Sequence, residues 1–341
     1  MVSLSAVRTH NSSLKYFSPG LVAVFVGGTS GIGFATAREF VRSTNSPHVY
    51  LVGRNPTEAS RIIDELQQIN PSSKLDFIKS DVSLLRNVDE VCKEIKEKEN
   101  KINLLFMTVG YLTFQGRNET TEGLDRKLSL HYYARMRFAQ QLAPLLTTAA
   151  KDPDPKANLS RVVTVLDPNI SRNFTPNFED LDLKTTFSLK NCGTHASAMN
   201  NFAIEHFAKA YPDSSFCHAY PSGVNTGIMR EQGPVMSAIW NVVGKTVFKP
   251  FMVDLTESGE RHVYASTAPQ FAPKANAGGV QDAAKGSDEV TGSGAYQLSW
   301  NGEVFGPSKK LETMRSNGAE DKIWGHTEQV FKKICEEGGK V

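Results

Sequence analysis

The octapeptide VGGTSGIG, residues 26–33, stands directly between an apolar run of strand length, LVAVFV (21–26), and an amphipathic stretch, GFATAREFVRS. This context constrains the fold more than any other feature, because a glycine-rich turn that leaves a buried strand and enters a helix is the phosphate-binding element of dinucleotide folds. Gly27 lets the chain leave the strand in a tight turn, Gly31 lets backbone approach a pyrophosphate, and Gly33 lets helix and strand pack closely. Thr29, Ser30 and Ile32 complete the turn, whose amide hydrogens at the helix N-terminus attract an anion. A glycine pattern alone can be no more than a turn; its place in the first strand–helix unit favours dinucleotide binding.

From Leu21 the same alternation recurs. The runs VYLVG (49–53), LDFIKSDV, INLLFMTVG, RVVTVL (161–166) and SSFCHAYP read as five further strands. Between them lie helical stretches, among them TEASRIIDELQQIN, VDEVCKEIKEKEN, EGLDRKLSLHYYARMRFAQQLAPLL and THASAMNNFAIEHFAKAYP. Strand-length apolar runs alternating with amphipathic helices predict an α/β fold: a Rossmann-type, doubly wound parallel sheet with helices on both faces. The 341 residues, 40% hydrophobic and 22% charged, divide into an N-terminal arm (1–20), a core (21–227) and an extension of the same domain (228–341). Within the extension, the apolar segment GIMREQGPVMSAIWNVVGKTVFKPFM reads as a lid over the cleft, or else as a packed helical excursion. TESGERHVYASTA is a further helix, with Glu257, Glu260 and Arg261 read as charges capping its start, and AYQLSW a final strand.

A net charge of +2, with no basic stripe interleaved with aromatics, gives no reason to expect nucleic acid as a partner. No run reaches the length of a membrane span, and the N-terminus lacks the apolar region of a secretory signal, so a cytoplasmic protein acting on a small hydrophobic molecule is expected. Cys92, Cys192, Cys217 and Cys335 are too scattered for a disulfide framework or a zinc site, and no metal is expected. NAD sites place a carboxylate at the end of the second strand; here Gly53 is followed by Arg54 and Asn55. A guanidinium there suits a 2′-phosphate and favours NADP(H) over NAD(H), with a surface arginine as the alternative. Asp81 is placed to accept from an adenine amino group, or else to cap a turn; Val82 beside it and Gly110 after the fourth strand join the cofactor-binding positions.

VGGTSGIG, the aspartate of SDV, LLFMTVG, RVVTVL, THASAMNNFAIEHF and PSGVNTG fall in the order and spacing of the short-chain dehydrogenase/reductase family. The resemblance covers about residues 20–230. GGTSGIG, LVGRN, EGLDRKLSLHYYARMRF and ESGER also resemble a group of fungal proteins associated with secondary-metabolite pathways. It implies seven parallel strands, an NAD(P)(H) cofactor, hydride transfer between carbonyl and alcohol, and commonly a homo-oligomer. Pro221, Gly223 and Thr226 match the residues that in the family contact the nicotinamide carboxamide, and Val224 among them joins the expected cofactor-binding positions. The family's proton-handling Asn, Ser, Tyr and Lys are all replaced, by His131, Asp167, His195 and Met199.

Histidine needs no cationic neighbour to titrate near neutrality, so an imidazole at His195, oriented by Asp167, is expected to replace the tyrosine and lysine together. The competing expectation is drift in a site that has lost its chemistry. Of three consecutive helix positions, His131 is the family-aligned candidate to face the cleft, with Tyr133 a substitute proton donor; His206 and His218 are read as structural. Three functions follow: an NADP(H)-dependent oxidoreductase, a redox-neutral isomerase, dehydratase or cyclase on the same scaffold, and a nucleotide-binding regulator.

Overall fold

Five consecutive buried residues make β1 (Val22–Val26), and a strand apolar on both faces is stable only in the middle of a sheet covered from both sides. The computed structural model describes residues 1–224, 226 and 252–341; the expected lid at 228–251 lies outside the described residues. Around β1 stand β2 (His48–Gly53), β3 (Lys74–Lys79), β4 (Leu104–Met107), β5 (Arg161–Val165), β6 (Ser215–Ala219) and β9 (Ala295–Leu298). Their order is β3-β2-β1-β4-β5-β6-β9, with every pair parallel. The direction of winding reverses between β1 and β4, so the connections leave to opposite sides and a crevice opens at the carboxyl ends of those strands. Gly223–Val224 (β7) and Met252–Val253 (β8) form a separate short parallel pair.

Alternate residues of the strands feed two cores. Val24, Tyr50, Leu105 and Phe216 join the face covered by α4 (Leu85–Lys98), α6 (Ala134–Ala150) and α8 (Leu189–Ala210). Phe25, Leu51, Phe106 and Cys217 join the face covered by α2 (Gly31–Ser43) and α9 (Leu255–Thr267), with α3 (Pro56–Ile69) beside α2. The predicted α/β fold is thus present.

The termini differ from the sequence reading. The arm contains a helix, α1 (Leu4–Ser13), which docks on α9: Arg8 pairs with Glu260 at 2.9 Å and Asn11 donates to the Glu260 carbonyl at 2.9 Å. Glu260 and Arg261 therefore do not cap α9; Asp254 does, and Arg261 pairs with Glu257 at 2.8 Å. Beyond β9 the chain adds α10 (Lys309–Ser316) and α11 (Ala319–Phe331), the latter packed on α8. The helix expected from Glu122 begins only at Arg126, because the buried Asp125 carboxylate takes the amides of Lys127 and Leu128. A short α5 (Arg126–Leu128) then passes into a π turn, Ser129–Tyr133, before α6. Among the described residues no helix is long and apolar enough to cross a membrane.

Candidate active site

The glycine turn has the conformation its sequence demands. Gly27 and Gly31 have φ of +88° and +54°, and a Cβ on Gly33 would lie 2.3 Å from the Gly27 carbonyl oxygen. Ser30 precedes α2 in an extended conformation but its hydroxyl makes no capping bond, so the first-turn amides gain no side-chain acceptor from it. These donors and the partial positive charge of the helix end fit a diphosphate. Thr29 lies against Gly53 at the end of β2, and the Thr226 methyl lies 3.2 Å from where a Gly31 Cβ would be. Thr226, beyond β6, thus borders the turn.

At the carboxyl ends of β2 and β3 a cleft of about 600 Å³ is lined by Arg54, Lys79 and Lys93 and by Asp81, Glu90, Glu94 and Glu97, among others. The register Gly53↔Lys79 sets Lys79 next to Arg54, a pairing that spacing along the chain does not reveal. Asn55 is engaged otherwise than expected: its side-chain oxygen caps α3 through the Glu58 amide at 3.2 Å. Asp81 realises its turn-capping alternative, accepting from the Ser83 amide at 3.1 Å while still lining the cleft. Val82 is buried in the core beneath it.

At the ends of β4 and β5 the π turn dictates the chemistry. A widened turn frees backbone carbonyls. Arg135 Nε donates to the Leu130 carbonyl at 3.1 Å, and Asn200 Nδ2 to that of His131 at 2.8 Å. Arg135 also donates to Val109 O (2.6 Å), Val165 O (2.8 Å) and Thr164 Oγ1 (2.7 Å), stitching the two strand ends together. This guanidinium is buried without a carboxylate partner among the described residues, and burial brings its pKa down to about 9. The His131 ring lies on Gly110, where a Cβ would come within 2.5 Å of it. Burial first, then the charges of Arg135 and Lys127, lower the His131 pKa to about 3, so this imidazole stays neutral at physiological pH.

The imidazole relay expected at His195 is not assembled. His195 is 1% exposed; its Nε2 accepts from the Asn177 amide at 2.9 Å, leaving the proton on Nδ1, which donates to the Leu181 carbonyl at 3.3 Å. Both ring nitrogens are therefore engaged by the loop between α7 (Asn169–Asn173) and α8, and burial lowers the ring's pKa. Asp167 turns elsewhere, accepting from the Asn169 amide at 2.8 Å, and burial raises its carboxyl pKa. Tyr133 is also no cleft residue: its hydroxyl meets His326 Nε2 of α11 at 2.7 Å inside the core. Met199 is wholly buried, and the Cys192 and Cys217 thiols are pushed by burial up to about 12 and about 11. The sequence reading passed over Tyr220, half-buried at the end of β6 within electrostatic reach of Asp167; its only signal was its place before the PSGVNT motif.

The short chain dehydrogenase family profile matches residues 21–152. The oxidoreductase AN1596 of Emericella nidulans is 41% identical across 97% of this chain and 98% of its own, and the oxidoreductase andH of Emericella variicolor is 34% identical across 98% of both. In fold, the chain is similar to the NADPH-bound carbonyl reductase from chicken fatty liver, with a TM-score of 0.56 at 16% identity over 85% of this chain and all of that one. The glycine turn, the seven-stranded sheet and these relatives together establish that the chain belongs to the short-chain dehydrogenase/reductase family and is an oxidoreductase of that type.

Proposed function

We propose that the protein is an NADP(H)-dependent oxidoreductase acting between a hydrophobic carbonyl compound and its alcohol. The observation that carries this is the pairing of an uncapped helix N-terminus with cations, Arg54 and Lys79, where NAD sites hold a carboxylate. The backbone of Gly27–Gly33 would hold the diphosphate, and Arg54 with Lys79 the 2′-phosphate. Asp81 would border the adenine, and Gly110, Pro221, Gly223, Val224 and Thr226 the nicotinamide side. When bound, the nicotinamide supplies or accepts the hydride. His131 offers a neutral ring that can hydrogen-bond a substrate oxygen without competing for its proton. Exposed Leu112, Phe114 and Phe174, on loops after β4 and α7, suit an apolar substrate, in keeping with the fungal company the sequence resembles.

The test is a titration with NADPH and with NADH, followed by protein fluorescence. Replacing Arg54 by Ala removes a charge-assisted contact worth about 1.5–3 kcal/mol, so NADPH affinity should fall by about tenfold or more while NADH affinity holds. An equal loss for both nucleotides would sink the assignment. The immobilised His195 and apolar Met199 favour a second reading, redox-neutral chemistry in the same cleft. Product formation with no change in nicotinamide absorbance would select it.

A further inference from the structure

The family's usual acid–base position is occupied here by a ring fixed to backbone, yet a phenol stands elsewhere on the same rim. Val165 and Ala219 are paired in register, and the Leu166 amide donates to the Ala219 carbonyl at 3.1 Å, so the chains leaving β5 and β6 run side by side. Asp167 follows on one and Tyr220 on the other. Tyr220 is anchored from its far side, its amide donating to Leu298 of β9 at 2.8 Å. Its hydroxyl lies within electrostatic influence of Ser222, which sits at φ +64°, a left-handed conformation uncommon for a serine. Four residues on, Thr226 rests against Gly31. Tyr220 thus stands at the carboxyl end of β6, half-buried and within electrostatic reach of Asp167.

We propose, resting on the oxidoreductase reading above, that Tyr220 gives the proton to the substrate oxygen when the carbonyl is reduced, with Ser222 behind it as relay and Asp167 as positioning residue. Burial first, then the Asp167 charge, raise the phenol's pKa and keep it protonated at neutral pH, while the nearby Ser222 side chain works the other way. An alkoxide forming on the substrate is far more basic than a phenolate, so transfer from the phenol is downhill; in the oxidative direction the same phenolate would take the alcohol's proton as the hydride leaves. The step balances. The electron pair arrives at the carbonyl carbon with the hydride, the substrate O–H bond forms as that of Tyr220 breaks, and Ser222 passes its proton to the phenolate and regains one from solvent.

The test uses the full chain with NADPH and trans-1-decalone, an apolar bicyclic ketone. Tyr220→Phe should lower kcat by about 10²–10⁴-fold, the usual yield of a positioned acid, with the NADPH Kd and the ketone KM within about twofold. A Tyr220→Phe variant that keeps more than about a tenth of wild-type kcat would overturn the assignment, as would wild type that binds NADPH but leaves the ketone untouched. A second readout needs no turnover: the rise of tyrosinate absorbance with pH. Tyr220→Phe should remove one late-titrating phenol, and Asp167→Asn should advance its titration; an unmoved curve in Asp167→Asn would overturn the role given to Asp167. Failure of wild type to bind NADPH would instead strike the oxidoreductase reading, leaving the phenol titration to decide the Tyr220 setting.

Discussion

On the β1–β3 side of the crevice the groups that would meet a ligand are backbone amides and long cations; on the β4–β6 side they are rings and hydroxyls, most of them already bonded to the chain. The geometry of the first side is made by glycines, whose function is the shape of the main chain itself. The second side depends on which partners each side chain finds. His195, Tyr133 and Asn200 all hold internal bonds that fix loops, α11 and the π turn. Backbone chemistry survives sequence change as long as the turn survives, whereas side-chain chemistry can be turned to architecture by one neighbouring amide.

Acid should separate the two sides most strongly. Burial holds His131 and His218 down at about 3 and lowers His195 and His326, all in the β4–β6 half, and brings His10 and His262 down to about 4 under α1 and α9. Each folded pKa lies below the unfolded value of about 6.5, so between the two the unfolded chain binds more protons and stability falls as pH falls. Two pH units below 6.5, one such ring costs about 2–3 kcal/mol, and several together rival the ~5–15 kcal/mol of a typical fold. The melting temperature should drop steeply from pH 7 to pH 4.5, with hydrogen exchange rising first around α8 and α11. A melting temperature unchanged over that range would mean that these rings are not held neutral.

The same contrast explains what was legible in sequence. The fold class was, because strand-length apolar runs alternate with amphipathic stretches and the central strands β1, β5 and β6 are buried on both faces. The phosphate turn was, since Gly27, Gly31 and Gly33 each answer to a local steric demand. What could not be read was the partner of each side chain. Asn55 before Pro56 is an N-cap signature that outcompeted its cofactor reading, and Lys79 joins Arg54 only through strand register. Nothing along the chain announces that Asn177 and Leu181, 18 and 14 residues before His195, return to hold both its nitrogens. The π turn that aims Arg135 at two strand ends is equally hidden, because its residues read as ordinary helix.

Two glycines would sharpen the backbone half of the comparison. A Cβ on Gly33 would meet the Gly27 carbonyl at 2.3 Å and Thr108 Oγ1 at 2.6 Å, whereas one on Gly325 in α11 meets nothing within 4 Å. Gly33→Ala should cost about 1–3 kcal/mol by overpacking and abolish measurable NADPH binding, since the helix must move away from the strand. Gly325→Ala should instead gain about 0.5–1 kcal/mol from helix propensity. Chemical denaturation of both variants, with NADPH titration of each, makes the measurement. A Gly33→Ala protein as stable as wild type and still binding nucleotide would show that the turn does not depend on that close approach.

The smallest effect is the one that decides what the histidine at the family's tyrosine position is for. If the His195 ring is a tie between Asn177 and Leu181, then His195→Gln, which still offers a carbonyl and an amide at similar reach, should lose only about 0.5–1.5 kcal/mol, the net worth of a hydrogen bond. His195→Ala leaves the buried Asn177 amide without its acceptor and should lose about 1–3 kcal/mol. In both, kcat at saturating NADPH should stay within about threefold of wild type at temperatures where the fold is intact, because neither ring nitrogen is available to a substrate. The opposite pattern, unchanged denaturation midpoints with kcat reduced by about a hundredfold or more in His195→Gln, would mean that the ring leaves its two backbone partners during turnover. The β4–β6 side would then hold its acid–base chemistry in reserve, and the division between a backbone site shaped by glycines and a side-chain site already bonded would fail at its central residue.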